Sequence, residues 1–431
     1  MACVRRQSLV LLTCVLMLCC VAAALGAAPD WPQFRGPNRD GKSPETGLLK
    51  EWPEGGPKLL WQIEGLGRGY STVSIAGGKI FTTGDRGQDG GEAQFVMAFD
   101  LATREELWAT RVGPPHRDGG PRSTPTVDGD LLYVIGTSGD LVCAETATGK
   151  VRWRKSFVDD FGGKMMSIWR FSESPTVDGP RLVCTPGAKD AILVALDKKT
   201  GEVIWKCAMP AIGSAGQDGA GYSTMVVAEI DGVRQYVQMV GRGVIGVEAE
   251  TGKFLWGYNR VANRVANITS PVVKGNYVFA TTSYKTGCAL LKIARNGDAF
   301  QAEEVYFHDA RHFANHHGGV VLVGDYLYGG DGQNNGTLCC LEFMTGKLMW
   351  KEPPLGKRSA CVLYADGQLY YRYEREGLVA LVDASPAGLK VRGTFKAAVV
   401  NEPCWPHPVI HDGKLYLRAH DVLMCYDVRG K

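Results

Sequence analysis

One recurring phrase constrains the fold of this chain more than any other feature of its sequence. An alternating apolar run leads to an acidic residue, then to Thr-Gly-Lys, and then to a second apolar run that ends in Trp. Near-complete copies occupy residues 143–153, 195–205, 246–256 and 340–350, and a degraded copy occupies 98–108. Because self-similarity at a fixed period is typical of repeat architectures, the sequence predicts a series of equivalent stacked units.

A second phrase precedes each copy and completes the unit. It consists of Ser or Thr, Pro, one further residue, Val and a tight turn, as in the segments that begin at Ser123, Ser174 and Ser270. Alternating apolar residues interrupted by Asp-Gly predict a hairpin, and Thr-Gly-Lys predicts a second turn in which Gly supplies positive φ. Each unit is therefore expected to be four antiparallel strands, repeated roughly every 42 to 52 residues.

Units of four strands with a Trp near each end predict the blades of a β-propeller. A single twisted sheet cannot bury both faces, so the blades must stack around an axis with the Trp side chains between them. We expect an all-β, eight-bladed propeller of four-stranded antiparallel blades, with an eroded fifth blade that ends near Tyr306. The predicted structural tryptophans are Trp61, Trp108, Trp153, Trp205, Trp256 and Trp350.

The last unit ends before its outer strand, and the missing piece is found near the start of the chain. The segment 57–64 has the composition of an outer strand and includes Trp61. We expect this N-terminal strand to complete the last blade and close the ring, which leaves no open sheet edge. The propeller is therefore assigned to residues 57–431.

The first residues are expected to be a signal peptide. Arg5 and Arg6 precede an apolar stretch, and Ala24-Leu25-Gly26 offers small residues for cleavage, so residues 1–26 are assigned to the signal, with a retained membrane anchor as the alternative. Residues 27–56 are an N-terminal extension, expected to lie in order across the propeller rather than to form a flexible linker. The mature protein is expected to be exported, periplasmic or secreted, with no transmembrane segment.

Composition excludes several classes of protein. The 55 Gly among 431 residues, with 45% hydrophobic residues, fit short apolar strands and exclude a disordered chain. Since 48 basic residues nearly balance 45 acidic ones, no nucleic-acid partner is expected. Four of the 13 cysteines precede residue 27 and leave nine. Most of these lie in apolar runs as small buried side chains, and no disulfide is assigned.

The phrase of apolar strand, acid, Thr-Gly-Lys and Trp resembles the pyrroloquinoline-quinone (PQQ) repeat. That repeat occurs in quinoprotein alcohol dehydrogenases and in the outer-membrane assembly lipoprotein BamB, and the resemblance covers about residues 58–431. The segments 31–41 and 315–328 also resemble exported PQQ-like propeller proteins of planctomycete-type bacteria. The repeat is structural, so the resemblance implies the fold and leaves cofactor binding open.

The resemblance also implies what an active quinoprotein would require. Such an enzyme holds PQQ under a disulfide between adjacent cysteines and above a Trp, with Ca²⁺ held by Glu, Asn and Asp. Cys339-Cys340 is an adjacent pair, but it falls in a late blade rather than an early one, and no Glu, Asn and Asp set can be mapped. We expect no cofactor and no metal, with PQQ and Ca²⁺ as the alternative, and the catalytic residues are unknown.

The densest group of histidines is His308, His312, His316 and His317. A spacing of four on a helix would place three imidazoles on one face, which suits a metal ion. The segment instead bridges two blades and runs into Gly318-Gly319, so a polar loop at the channel mouth is expected.

The residues just before each innermost strand should surround one end of the central channel. They mix aromatic, cationic and acceptor groups, as ligand sites do, although they can equally well only cap a water-filled channel. The predicted channel-mouth residues are Tyr70, Arg122, Glu173, Tyr222, Asn315, His316, His317 and Trp405.

Intact repeats without a recognisable catalytic set indicate a non-catalytic binding or scaffold module of the cell envelope. The expected partner is an envelope protein or a small-molecule or glycan ligand at the channel mouth. Two alternatives stay open: a PQQ-dependent alcohol or sugar dehydrogenase, and a glycan or small-molecule sensor. The sequence leaves the ligand and the oligomeric state undetermined.

Overall fold

The computed structural model describes residues 29–87, 93–116 and 118–430, so the predicted signal peptide lies outside the described residues. Eight antiparallel blades of four strands form the described chain, and one of them gains a short fifth strand. In the described ranges the single α-helix is Phe157–Phe161, whose N-terminus is capped by the Ser156 side chain. The all-β, eight-bladed propeller predicted from the repeats is confirmed.

The first four blades follow one another along the chain, each running from its innermost to its outermost strand. Blade 1 comprises Ser74–Ala76, Lys79–Arg86, Ala93–Asp100 and Glu106–Gly113. Blade 2 comprises Thr126–Asp128, Leu131–Ile135, Asp140–Glu145 and Val151–Ser156. Blade 3 comprises Thr176–Asp178, Arg181–Cys184, Leu193–Asp197 and Val203–Cys207. Blade 4 comprises Val226–Ile230, Val233–Val240, Gly243–Glu248 and Phe254–Tyr258.

The next three blades continue the same order. Blade 5 comprises Val272–Lys274, Tyr277–Thr282, Gly287–Asn296 and Ala299–Asp309. Blade 6 comprises Val320–Val323, Tyr326–Asp331, Thr337–Glu342 and Leu348–Glu352. Blade 7 comprises Ala360–Ala365, Gln368–Tyr373, Leu378–Asp383 and Val391–Lys396.

Blade 8 combines both ends of the chain. Its inner strands are Val409–His411, Lys414–Ala419 and Val422–Asp427. Its outer strand is Lys58–Ile63, which pairs antiparallel with Val422–Asp427. The predicted closure of the ring by the N-terminal strand is therefore confirmed.

The phrase Thr-Gly-Lys…Trp acts between blades as well as within them. The indole N–H of Trp153 in blade 2 donates to the carbonyl oxygen of Lys198 in blade 3 at 3.1 Å. Gly201, in the next turn of blade 3, has φ +76°, and a Cβ atom there would lie 2.8 Å from the Trp153 ring. Gly is thus needed at this position both for the turn and for the close approach of the indole.

Blades 4, 5 and 7 depart from this arrangement, and the outer strand of blade 7, Val391–Lys396, contains no Trp. In blade 5 the hydroxyl of Tyr306 donates to the carbonyl of Phe343 at 2.9 Å, so Tyr306 takes the part of the Trp. In blade 4 the indole of Trp256 donates instead to the side chain of Gln235 in the same blade, at 2.8 Å.

The Ser/Thr-Pro phrase forms a ring of hydroxyl groups around the channel. The hydroxyl oxygen of Ser174 accepts the N–H of Thr124 at 2.9 Å, and that of Thr224 accepts the N–H of Ser174 at 3.1 Å. Ser270 accepts in the same way from Thr224 at 3.3 Å. Each hydroxyl therefore satisfies a backbone donor of the preceding blade and links the two blades. We call these equivalent positions the channel ring.

The N-terminal residues that the structure describes lie across one end of the channel. Trp31 and Ile75 exchange two backbone hydrogen bonds of 2.8 Å, and the carbonyl of Pro32 accepts from Val127 N–H at 2.8 Å. Lys42–Ser43 adds to blade 7 as a parallel strand beside Ala360–Ala365. Residues 31–43 therefore pair with innermost strands and close the channel opposite the mouth, whereas Leu49 and Trp52 pair with Val428 and with Arg392 in the outer strand of blade 7.

Candidate ligand site in the channel

A cavity of about 340 Å³ opens at the end of the channel where the innermost strands begin. This volume falls within the roughly 300–1,000 Å³ usual for small-molecule sites. Loops that precede the innermost strands form its wall, and Phe34 and Arg35 of the N-terminal segment also line it. The cavity is therefore a blind pocket with a mouth formed by the blades and a floor formed by the chain's own N-terminal segment.

Most of the predicted channel-mouth residues lie on this cavity. The predicted residues that line it are Tyr70, Arg122, Tyr222, His316, His317 and Trp405. Five of them, Tyr70, Arg122, Tyr222, His317 and Trp405, lie two residues before the channel-ring positions of their blades. These positions are Thr72, Thr124, Thr224, Gly319 and His407. Because the repeat fixes this offset, side chains from different blades converge on one space.

Glu173 and Asn315 do not line the cavity. Glu173 lies one residue before the channel ring, and since successive side chains of an extended segment alternate in direction, it points into the blade while Ser172 lines the cavity. Its carboxyl group accepts from the N–H and the hydroxyl of Thr185 at 2.8 and 2.9 Å. Burial raises the pKa of Glu173 to about 8. This residue braces blade 3 as a largely protonated acid.

Asn315 has a bracing role in blade 6. Its side-chain oxygen accepts from the Gly319 N–H at 3.1 Å, and its amide group donates to the carbonyls of Gly319 and Gly330 at 3.1 and 2.8 Å. With the hydroxyl of Thr269 also donating to it at 2.8 Å, the side chain is engaged on both its ends. Asn315 therefore shapes the loop that carries His316 and His317.

The predicted histidine cluster is divided between two places. His308 and His312 stack at 3.9 Å on the outer part of blade 5, with His312 Nε2 2.7 Å from the carbonyl oxygen of Gly346. His316 and His317 lie in the cavity. Across the described ranges, no group of three or more His, Cys, Asp or Glu side chains has the geometry to hold a metal ion.

His316 is fixed by hydrogen bonds on both ring nitrogens. Nδ1 lies 2.9 Å from the hydroxyl oxygen of Ser359, and Nε2 lies 3.0 Å from that of Tyr284. Burial, with a further contribution from the neighbouring His317, lowers the pKa of His316 to about 3. The ring is therefore neutral at physiological pH and acts as a rigid part of the wall.

His317 faces an acidic residue that the sequence analysis missed. Its Nε2 lies 3.4 Å from Oε2 of Glu374, which comes from the turn after Gln368–Tyr373 in blade 7. Burial acts to raise the pKa of Glu374, but His317, Trp405 and Arg358 together outweigh it and the pKa falls below 4.5. Trp405 packs its ring against His317 with centroids 5.4 Å apart. Glu374 is thus an ionised carboxylate at the cavity wall.

Aromatic rings cover two parts of the wall. The rings of Tyr70 and Trp405 lie 4.5 Å apart, and the Arg122 guanidinium lies 5.4 Å from the centre of the Tyr70 ring. Trp169, also missed in the sequence, meets Tyr222 edge to face at 5.9 Å. These rings present apolar faces and polar edges to the same space, as sites for small polar ligands do.

The floor carries a buried cation. Arg35 is 6% exposed, and its Nη2 donates to the carbonyl oxygens of Val320 and Asp40 at 2.6 and 3.1 Å. Burial lowers the pKa of Arg35 to about 10, so the guanidinium stays charged at neutral pH. Beside it Phe34 meets His407 edge to face at 5.0 Å.

Several buried polar atoms of this cavity have no hydrogen-bond partner within the described chain. They are Arg35 Nε, His317 Nε2, Glu374 Oε2 and Trp405 Nε1. The 3.4 Å contact between His317 and Glu374 is longer than the usual N–H···O distance of roughly 2.7–3.2 Å, so it does not fully satisfy either atom. Since buried polar groups are normally paired, these four atoms are unused hydrogen-bonding capacity at the cavity.

The residues present do not fit PQQ with Ca²⁺. Cys339 and Cys340 lie in the third strand of blade 6, where both are buried, unpaired and packed in different hydrophobic clusters, away from the cavity. Of the described residues, one carboxylate, that of Glu374, lines the cavity. Ca²⁺ takes roughly six to eight oxygen ligands, often several carboxylates, and this donor set is far smaller.

Comparison with known structures supports the fold. BamB from Moraxella catarrhalis aligns with a TM-score of 0.62 at 13% identity, covering 86% of this chain and 99% of that one. The quinohemoprotein alcohol dehydrogenase from Comamonas testosteroni aligns with a TM-score of 0.65 at 12% identity, covering 94% and 81%. At such identities the likeness concerns the fold alone.

None of the described residues forms a helix with the length and hydropathy needed to cross a membrane.

Sequence comparison is more specific than the structural likeness. Outer membrane protein assembly factor BamB of Kangiella koreensis is 26% identical over 230 residues, which span 50% of this chain and about half, 49%, of that protein. The family model described as outer membrane protein assembly factor BamB matches residues 92–352, more than half of the 431 residues. The chain therefore belongs to the BamB family of PQQ-like β-propellers.

Proposed function

We propose that this protein is an exported, non-catalytic binding module of the cell envelope that takes a small ligand into the mouth of its propeller channel. The observation that carries the proposal is the blind cavity of about 340 Å³ with four unpaired polar atoms on its wall and floor. Binding of a polar molecule would satisfy these atoms, which otherwise cost free energy in the folded state.

The chemistry of the cavity favours binding over catalysis. Ser359 and His316 are in contact, as a nucleophile and its base would be, but the second nitrogen of the imidazole faces the hydroxyl of Tyr284 and not an orienting carboxylate. A pKa of about 3 leaves His316 a very weak base, whereas a general base works best with a pKa near the working pH. The contact is therefore interpreted as structural.

A ligand screen by thermal shift tests the proposal. Sugars, organic acids, amino acids and nucleotides would be screened against wild-type protein, His317→Ala and His312→Ala. His312 is the matched control, because it packs against Gly346 on the outer part of the propeller and not in the cavity. The expected result is a compound that raises the Tm of wild type and His312→Ala but not of His317→Ala.

Two outcomes of this screen would contradict the proposal. One is the absence of any stabilising compound across the whole panel. The other is a compound that stabilises all three proteins equally, because its site would then lie away from the channel mouth.

A second candidate function, assembly of outer membrane proteins together with envelope partners, is favoured by membership of the BamB family. Assembly factor is the description printed for the Kangiella koreensis relative, and here it is a proposal. Deleting the gene would then lower the amount of protein in the outer membrane, and restoring it would recover the amount. An unchanged outer-membrane content after deletion would contradict this function.

A further inference from the structure

The floor of the cavity holds a positive charge that no carboxylate of the described residues pairs with. Arg35 is nearly fully buried, and no carboxylate within the described residues forms an ion pair with it. Asp40, the carboxylate that acts most on the pKa of Arg35, pairs instead with Lys42 at 3.0 Å. Burying a charge without a counter-ion is costly, so a fold that retains one has a use for it.

The propeller is altered locally to admit this side chain. Five of the eight channel-ring positions carry hydroxyls that link blades: those of Thr124, Ser174, Thr224 and Ser270 accept a backbone N–H of the preceding blade, and that of Thr72 donates to the carbonyl of His407. Blade 6 carries Gly319 at this position, and a Cβ atom there would clash with Nη1 of Arg35. Blade 6 therefore gives up a hydrogen bond between blades where the guanidinium enters the channel.

The whole cavity has an excess of positive charge. Arg122 and Arg358 line it together with Arg35, whereas Glu374 is the single acidic side chain among the described lining residues. The carboxylate of Glu374 already faces His317 at 3.4 Å. The electrostatic field of the cavity therefore favours an anion.

The part of the cavity wall formed by channel-ring hydroxyls and aromatic rings suits a polyhydroxylated ring rather than a bare anion. The oxygens of Ser174, Thr224 and Ser270 accept backbone N–H groups, which leaves their O–H groups free to donate towards the cavity that they line. The faces of Tyr70 and Trp405 lie beside them on the wall. Hydroxyl donors and aromatic faces match the O–H and C–H surfaces of a sugar.

We propose that the channel binds a sugar that carries an oxyanion, a carboxylate or a sulfate, with the oxyanion on Arg35 and the sugar ring against the aromatic wall. This inference rests on the proposed binding function and names the class of ligand. Carboxylate and sulfate share the charge and the acceptor geometry that a guanidinium recognises.

Isothermal titration calorimetry with D-glucuronate, D-glucose 6-sulfate, D-glucose and PQQ tests the inference. At least one of the two anionic sugars is expected to bind wild-type protein 10-fold or more tightly than glucose does, a difference of about 1.4 kcal/mol. Whichever of the two binds more tightly identifies the oxyanion. Tighter binding of PQQ than of either sugar would overturn the inference.

Arg35→Gln provides the decisive variant, because it removes the charge and keeps a hydrogen-bonding side chain. It is expected to weaken binding of the anionic sugar by roughly 10- to 100-fold and to leave that of glucose unchanged. Arg39→Gln is the matched control, since Arg39 belongs to the same N-terminal segment but donates to the carbonyl of Val177 outside the cavity. Equal binding by wild type and Arg35→Gln would overturn the inference.

The salt dependence of wild-type binding gives a second measurement if Arg35→Gln does not fold. Affinity for the anionic sugar should fall as NaCl is raised, and affinity for glucose should not. Glucose binding as tight as that of both anionic sugars would overturn the inference while leaving the binding function intact. No binding by any probe overturns the sugar inference, and the broader ligand screen then decides the function separately.

Discussion

Gly319 of blade 6 and Arg35 of the N-terminal segment fit together at the floor of the channel, so that a Cβ atom on Gly319 would clash with Nη1 of the guanidinium. The same guanidinium donates to the carbonyl of Val320, the next residue along blade 6, at 2.6 Å. The segment that closes the channel and the blade that receives it are therefore complementary at the level of single atoms.

Gly319→Ala is predicted to destabilise the protein by roughly 2–4 kcal/mol. About 1–3 kcal/mol comes from the φ of +72°, which a side chain rarely adopts, and the rest from displacing Arg35. Urea unfolding followed by circular dichroism measures the loss. Gly324→Ala is the control, because Gly324 has φ +61° with open space around its Cβ position, and it should lose only the backbone part. Equal losses in the two variants would contradict the fit of Arg35 against Gly319.

Gly201→Ala is predicted to cost more than Gly129→Ala, although both glycines lie in tight turns with positive φ. A Cβ atom on Gly201 would lie 2.8 Å from the Trp153 ring, whereas one on Gly129 would meet nothing within 4 Å. The difference should be at least about 1 kcal/mol, because the indole must move out of its contact between blades. Comparison of the urea midpoints measures it, and equal midpoints would mean that this glycine serves the turn alone.

The fold could be predicted from sequence because the residues of the repeat both set the local turns and pack one blade against the next. Thr-Gly-Lys sets a turn, and its Gly also receives the Trp of the preceding blade, so even the eroded copy near Tyr306 kept its place. The hydrogen bond of Trp256 within its own blade could not be predicted, since it depends on the side chain of Gln235 two strands away.

The site was less predictable than the fold. Side-chain direction depends on the exact position in the strand, and some residues of the site lie outside the repeat. The position of Tyr70 and Trp405 shortly before an innermost strand correctly predicted that they line the cavity. Glu173 lies one residue closer to the strand than they do, so its side chain points to the other side of the backbone. Glu374 lies in a turn between two strands and Arg35 lies outside the repeat, so no period relates them to the mouth. An acid directly after the apolar strand of blade 7 was the available signal for Glu374.

Glu173→Gln is predicted to change how stability depends on pH. Burial raises the pKa of Glu173 from 4.5 to about 8, so the folded protein holds a proton that the unfolded chain releases. The stabilisation from this proton is complete below pH 4.5 and is lost as the pH rises towards 8, with a slope approaching about 1.4 kcal/mol per pH unit. In Glu173→Gln the amide does not titrate, so this loss of stability with rising pH is absent.

Urea unfolding at several values between pH 5 and pH 8.5 checks this prediction. Wild type should lose stability relative to Glu173→Gln as the pH rises, and using the difference between the two proteins removes the contribution of other titrating groups such as His316. Parallel stability curves would show that the carboxyl group is ionised in the folded protein throughout this range.

Stepwise truncation is predicted to separate the two roles of the N-terminal residues. A chain that starts at residue 57 loses the buried Trp31 and Trp52 and should unfold at a lower temperature, but it keeps Lys58–Ile63 and should stay monodisperse. A chain that starts at residue 65 also loses this outer strand and leaves Val422–Asp427 as an open edge, which invites pairing with other molecules. Size-exclusion chromatography with light scattering should therefore show self-association only for the shorter chain. If both truncated chains eluted with the same mass as the protein that starts at residue 29, the closing strand would not be what protects the edge of blade 8.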